Sequence, residues 1–351
     1  MQVPFVTAAL PGTGGLLRAQ PEDFAVEEIP AYEPVGSGEH VYLWVEKRGL
    51  TTADAARILA KQGGLRDRDV GYAGLKDKRA VTRQYFSLCL RDAEKLRDFE
   101  APGLKVLRVS RHANKLKTGH LRGNRFALVV RGAGDDAVFR ARAVLEALAK
   151  SGVPNAYGPQ RFGRDNATAT LGQALLTGAP HPDRARADRD RYLRRLALSA
   201  FQSQLFNALL ARRVRDSSWT TSLRGDVLQK PTGASFVCED PGADQPRLDR
   251  FELSVAGPMF GPKMLAAQHD ARAHELAVLA EAGVDEALFE KGGELTQGAR
   301  RALRIPLGEH GVELRDGALH ITFALPRGSY ASVVMAEVMK ADVALEGDTE
   351  D

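Results

Sequence analysis

The pattern of this chain predicts an α+β protein built from more than one domain. Segments with the two-residue period of strands and segments with the spacing of amphipathic helices both occur, with long returns between them. At 351 residues the chain also exceeds the roughly 250–300 at which a single hydrophobic core stops growing. Two domains are therefore expected.

Each element has its own justification. Thr52 can cap a helix over 53–62, with Ile58 and Leu59 on its apolar face and Gly63-Gly64 ending it. Val70 to Ala73 is a short apolar run closed by Gly74. Gln84, Phe86, Leu88 and Leu90 then alternate with Arg83, Tyr85, Ser87 and Cys89, the pattern of a strand. Residues 105–110 and 125–131 read as two more strands. Asp136 can cap a helix over 137–151, which Gly152 and Pro154 stop. Residues 157–163 are punctuated by glycine and bear aromatics, so regular helix is excluded and a crossing between domains is expected. A long helix should reach about Val214, since Leu193, Leu196, Ala200, Leu205 and Leu209 fall near one face. Gly- and Pro-rich stretches at 231–246 and 256–263 read as loops, and 268–282 as a helix. Leu319, Ile321, Phe323 and Leu325 alternate with polar or small neighbours as a strand. Pro326-Arg-Gly328 turns it into a final helix over 329–340. The acidic end, Glu346 to Asp351, is expected to be disordered.

Bulk properties narrow the class. With 44% hydrophobic and 27% charged residues the composition is that of an ordinary globular protein, and a net charge of +4 does not by itself imply a polyanionic partner. Distribution says more. Between Glu100 and Asp135 there is no acidic residue, while Lys105, Arg108, Arg111, Lys115, Lys117, Arg122, Arg125 and Arg131 supply cations beside His112 and His120. Such a segment is an electrostatic footprint for a polyanion, unless its acids lie elsewhere in space. Cys89 and Cys238 are far apart and outside any metal-ligand spacing, so neither a disulfide framework nor a zinc site follows. No apolar run approaches the ~20 residues that span a bilayer, and no signal-peptide pattern opens the chain, so a cytoplasmic location is expected.

The run Gly71-Tyr-Ala-Gly-Leu-Lys-Asp-Lys-Arg-Ala-Val-Thr-Arg-Gln-Tyr-Phe-Ser-Leu88 is the most informative. It sets one carboxylate, Asp77, among Lys76, Lys78, Arg79 and Arg83 in what reads as a loop between strands. Nearby cations favour the ionised carboxyl group, and an ionised carboxylate can serve as nucleophile or base. A turn aspartate with solvated neighbours is the competing reading. This run resembles the motif around the catalytic aspartate of the TruD family of tRNA pseudouridine synthases. Other segments resemble family motifs in the same order: Pro21-Glu-Asp-Phe-Ala-Val-Glu-Glu28, Gly36-Ser-Gly-Glu-His-Val-Tyr-Leu43, the stretch from His112 to Phe126, the stretch from Gly152 to Gly163, Ser203-Gln-Leu-Phe-Asn207, Ala256-Gly-Pro-Met-Phe-Gly261 and Phe323-Ala-Leu-Pro-Arg-Gly-Ser-Tyr-Ala331. The resemblance spans about residue 20 to about residue 335.

That resemblance implies a mixed or antiparallel-sheet pseudouridine synthase domain, discontinuous over 1–155 and 306–351, with a family-specific α+β domain inserted at 156–305. It implies isomerisation of uridine to pseudouridine in tRNA, at uridine 13 of the dihydrouridine arm as in bacterial relatives. The reaction breaks the bond from ribose C1′ to N1, turns the ring and rejoins C1′ to C5. Nothing is oxidised, so neither metal nor organic cofactor is expected, and the glycine-rich places match no phosphate or dinucleotide fingerprint. No obligate protein partner and no membrane are expected; the partner is tRNA. In this view Asp77 adds to C1′ or to C6, or deprotonates a sugar carbon to open a glycal route, with Lys76 the candidate for holding it ionised. A flipped uridine needs a ring to stack on and an amide for its edge. Phe126 and Asn124 are the candidates, and Phe24 and Phe323 match positions that approach the nucleotide. Lys78, Arg79, His112, Lys115 and Lys117 read as phosphate contacts, with Arg161, Arg164 and the arginines of 184–195 lining an RNA cleft. The competing class is a non-catalytic RNA-binding protein or RNA chaperone, for which a carboxylate facing a polyanion has no use.

Overall fold

The structure, a computed structural model, describes residues 3–89 and 93–341. The acidic end and Leu90 of the alternating pattern lie outside the described residues. The chain divides into two compact units.

The first unit holds Leu10–Glu146, Leu307–Ala331 and the residues from Val338 onward. Its strands are β1 (Leu16–Leu17), β2 (Phe24–Pro30), β3 (His40–Arg48), β4 (Gly71–Tyr72), β5 (Val81–Cys89), β6 (Glu100–Ala101), β7 (Leu104–His112) and β8 (Leu121–Arg131). In the second unit lie β9 (Val153–Pro154), β10 (Val227–Gln229), β11 (Ser235–Val237), β12 (Ser254–Met259), β13 (Ala299–Ala302) and β14 (Arg304–Ile305); β15 (His310–Arg315) and β16 (Ala318–Pro326) return to the first. The ten strands of the first unit form one sheet in the order β15-β16-β8-β2-β5-β3-β7-β6, with β1 on β8 and β4 on β5. β2 and β5 run parallel and the other pairs antiparallel, so the sheet is mixed, as expected. That parallel pair puts the start of β5, and therefore the loop before it, beside Ala25 and Val26.

Alternation decides which side chains face the helix. Val41, Leu43 and Val45 of β3, with Phe86 and Leu88 of β5, meet Ala55, Ala56, Leu59 and Ala60 of helix α1 (Thr52–Gly63) in one apolar cluster. The cap of α1 is Thr51 rather than Thr52. Thr51 accepts from the Asp54 amide and Asp54 answers at the Thr51 amide, a capping box. Thr52 is instead buried inside the helix start, with a different task described below.

The second unit holds residues up to Ala9, Ala147–Pro306 and Ser332–Glu337. Helix α2 (Ala137–Ser151) leads into it, followed by α3 (Ala167–Thr177), α4 (Arg184–Ala187), α5 (Arg191–Arg215), α6 (Pro241–Asp249) and α7 (His269–Glu281); α8 (Ala331–Met339) closes the described chain. β11-β10-β12-β13 form a four-stranded sheet, and β14 pairs with β9. Leu198, Phe201, Leu205 and Leu209 of α5 cluster with Leu171 and Leu175 of α3 and with Val278, Leu279 and Phe289. The single apolar face expected for α5 is too narrow a description: Phe206 and Ala211 are buried as well, because the helix is enclosed through its middle. Two of the expected loops are regular. α6 starts at Pro241, capped by Asp240 on the amides of Gly242 and Ala243, where proline loses no hydrogen bond. β12 contains Gly257, where a Cβ would meet Leu303 Cδ2 at 2.7 Å and Phe206 Cε2 at 2.9 Å, so the glycine marks close packing on α5 and not a turn.

Candidate active site

Asp77 lies in the loop between β4 and β5, which pair antiparallel with Gly71 opposite Ser87 and Tyr72 opposite Phe86. β4 can approach so closely because Gly71 has no side chain; a Cβ there would strike the Leu116 carbonyl oxygen. The four cations that sequence places around Asp77 have separate tasks. Lys76 turns inward, its ammonium 3.2 Å from Glu28 Oε2, with both side chains almost wholly buried. The ion pair of Lys76, the candidate partner for Asp77, is thus with Glu28, and Lys76 also lines the cavity that Asp77 borders. Burial pushes the Glu28 carboxyl above the usual carboxylate range, against the pull of Lys76 and the Tyr85 amide. Arg83 sits on β5 and pairs with Glu46 at 2.8 Å and Glu27 at 3.6 Å. Lys78 is exposed, and Arg79 gives Asp77 Oδ1 its backbone N–H at 2.8 Å.

A cation that pairs with the Asp77 carboxylate is Arg18, from just after β1 and 59 residues away in sequence. Its guanidinium also lies 4.0 Å from the centre of the Phe24 ring. Arg18 has a φ of 62°, a region where a residue with a side chain is uncommon and which tends to mark functional sites. No local pattern signals this; only the sheet, which pairs β1 with β8 and β8 with β2, brings Arg18 to the Asp77 loop.

Asp77 and Arg18 border a cavity of about 470 Å³ that Phe24, Asn124, Phe126 and Tyr330 also line. That volume lies within the range of small-ligand sites, roughly 300–1,000 Å³. Phe126 is opposite Val26 on β2 and opposite Phe323 on β16, so pairing register assembles residues from three distant motifs. The Phe24 and Phe126 rings meet edge-on, 6.3 Å apart. Phe323, 5.3 Å from Phe126, is fully buried and absent from the cavity wall, so here it supports the Phe126 ring from behind. Asn124 is one of the few described side chains with a buried atom left unbonded: its Oδ1 has no hydrogen-bond partner. A buried acceptor of this kind is costly unless a ligand supplies a donor.

The remaining candidates spread out. His112 stacks on Tyr32 at 4.8 Å and packs against Tyr42 at 5.1 Å, so its ring is engaged in an aromatic cluster. Lys115 donates to the Arg68 carbonyl at 3.0 Å, while Lys117 is exposed; both line a second cavity of the same unit, of about 620 Å³, with Arg57 and Arg68. Arg161 belongs to the other unit, where its guanidinium donates to Ser199 and Ser203 of α5 at 2.5 and 3.3 Å. The basic stretch of 105–131 is partly neutralised across strands: Arg125 pairs with Glu309 at 3.2 Å, Arg131 with Asp23 at 2.6 Å, Arg108 with Glu33 at 3.5 Å, and Lys105 with Glu100. In the arginine-rich segment Arg194 pairs with Asp188 at 2.8 Å and Arg191 with Glu294 at 3.7 Å. Among the described residues no cluster of three His, Cys, Asp or Glu could hold a metal ion, and no helix is long and apolar enough to cross a membrane.

Comparison with known proteins identifies the family and the fold. A profile of the family described as tRNA pseudouridine synthase D (TruD) matches residues 2–185 and 182–338. A protein of Anaeromyxobacter sp. (strain Fw109-5) named tRNA pseudouridine synthase D is 54% identical over 350 residues, covering 99% of both chains. One of the same name from Thermus thermophilus is 42% identical over 97% of this chain and 92% of its own. A crystal structure from Methanosarcina mazei that carries the TruD designation superposes with a TM-score of 0.80 at 24% identity, covering 97% of this chain and 99% of that one. This chain belongs to the TruD family of tRNA pseudouridine synthases.

Proposed function

We propose that this enzyme isomerises uridine 13 of tRNA, with Asp77 as the carboxylate that acts on the nucleotide. The observation that carries the reading is one cavity wall: Asp77, its partner Arg18, Phe24, Phe126 and Asn124, whose buried Oδ1 is unpartnered, all border the same space. A uridine swung out of its stack brings what that wall lacks. Its N3–H supplies the donor that Asn124 Oδ1 needs, its ring finds the Phe126 platform, and its ribose comes to the carboxylate. Arg18 keeps a positive charge beside Asp77 before attack and donates to the developing anion once the C1′–N1 bond opens. The base then turns and C5 bonds to C1′, while Asp77 gives up its bond to C1′ or C6, or returns the sugar proton on the glycal route. The C5 proton passes to solvent and N1 takes one up, so the product is an isomer and Asp77 is regenerated. Unstacking costs a few kcal/mol, which the stacking and edge contacts offset.

Residues 156–305 fill most of the second unit, and in this reading they are the inserted domain that recognises the folded RNA. Lys117, Lys78 and Arg79, exposed in the first unit, contact backbone phosphates and make affinity depend on salt. The test is tritium release from [5-³H]uridine in unmodified tRNA, followed by mapping of the modified position by carbodiimide primer extension. Release with a stop at position 13, abolished by a U13C transcript, supports the reading. Release that persists from the U13C transcript contradicts the assigned position, and no release at all favours a protein that only binds RNA.

A further inference from the structure

The Asp77 loop is fixed in an unusual way. It makes almost no regular ladder of its own, yet the backbone of Gly74, Lys76 and Asp77 is bonded to three buried side chains from outside the loop. Gln84 Nε2 donates to the Gly74 carbonyl at 3.0 Å. Thr52 Oγ1 accepts from the Lys76 amide at 2.8 Å and donates to Gln84 Oε1 at 3.1 Å. Lys47 Nζ, at the end of β3, donates to three carbonyls: Leu50 at 2.8 Å, Lys76 at 3.2 Å and Asp77 at 2.8 Å. These side chains are at most 1% exposed.

Lys47 stands out among them because it is a buried cation whose described hydrogen bonds all go to backbone oxygens. An ammonium in such a place costs solvation, and a neutral side chain would usually be found instead. What an ammonium provides is three N–H donors in tetrahedral array, and here all three are used on carbonyls. Two of the three belong to the residue proposed to act on the nucleotide and to its neighbour. We propose that Lys47 is a positioning residue, a three-pronged clamp that fixes the backbone of the Asp77 loop and through it the direction of the carboxylate. The inference rests on the assignment of Asp77.

Burial also pushes Lys47 down to about 8, so the clamp can titrate. The charged groups facing it are Asp77 and Lys76 on the loop and Asp54 on α1; the carboxylates favour its cation and Lys76 opposes it. Its strand neighbours across β5 and β7 are Thr82 and Leu104, which carry no charge. The neutral amine has two N–H groups for three carbonyls, so one prong is lost above that pH.

The experiment compares the full-length wild type with Lys47→Met, following tritium release against tRNA concentration from about pH 6.5 to about pH 9.5. A displacement on the order of 1 Å at a reacting group costs about 100-fold in rate. The clamp therefore predicts kcat down about 100-fold in K47M with KM within about threefold, because RNA contacts are untouched. It also predicts that wild-type kcat falls above about pH 8 on a limb that K47M lacks; titration of the uracil itself would appear in both. An unchanged kcat, a loss confined to KM, or the same alkaline limb in both proteins overturns the clamp. If K47M does not fold, hydrogen exchange of residues 74–79 in the wild type decides: protection, corrected for intrinsic rate, should drop above about pH 8, and constant protection contradicts the proposal. An inactive Asp77→Asn beside a fully active K47M would sink only the clamp, whereas a fully active Asp77→Asn would sink the catalytic assignment itself.

Discussion

A single side-chain oxygen tests the base-binding half of the site. Asn124 lines the cavity, and its Oδ1 is buried and unpartnered. Asn124→Ala should lower kcat/KM for tRNA by about 5–150-fold, the effect of leaving the N3–H of the bound base unsatisfied at roughly 1–3 kcal/mol. Stability should be nearly unchanged, since no internal bond of that oxygen is lost; steady-state kinetics beside a thermal melt separates the two. Lys47 gives a second residue-scale prediction, in stability rather than rate. Its pKa is depressed in the folded protein to about 8, from about 10.4 in an unfolded chain. Between those values the unfolded state binds more protons, so this group's cost to stability is full below about pH 8 and fades as pH rises toward about 10.4. Urea unfolding at about pH 7.5 and about pH 10 should show wild type gaining on Lys47→Met with pH, while its activity moves the other way. Asp77, Asn124 and Phe126 were legible because each sits in a motif of unusual residues. Arg18 and Lys47 were not, because pairing with the Asp77 loop depends on chain reversals tens of residues long.

At the scale of elements, periodicity located β5, β7, β8, β16 and the helices α1, α2, α5, α7 and α8, but gave no expectation for β3, β15 or α3, and elsewhere composition misled. Pro241 and Pro246 suggested a loop, yet Asp240 caps a helix there whose first position suits proline. Gly257 and Pro258 suggested another, yet β12 carries them where α5 packs closely. α1 shows how a one-residue error changes meaning. Reading Thr52 as the cap hides its bond to the Lys76 amide, while the true cap, Thr51, belongs to a box with Asp54. Thr51→Ala should destabilise the protein by about 1 kcal/mol, read as a lower midpoint in urea, without loss of kcat. A loss of kcat with unchanged stability would mean that the end of α1 tunes the Asp77 loop directly.

For the whole molecule, the mixed sheet of the first unit does most of the assembly. Five strands, β1, β2, β5, β8 and β16, carry or flank Arg18, Phe24, Asp77, Asn124, Phe126 and Phe323, and pairing register draws them to one region. The fold class was legible from pattern, and the mixed sheet from family resemblance. The charge count was the weaker guide, because cross-strand acids neutralise several of the cations between Glu100 and Asp135. Chemistry at Asp77 is the claim on which the functional account stands. Its most direct test is single-turnover tritium release by Asp77→Asn, with tRNA retention on filters measured on the same preparation. The account predicts no detectable release and tRNA retention close to wild type; release at the wild-type rate would contradict it.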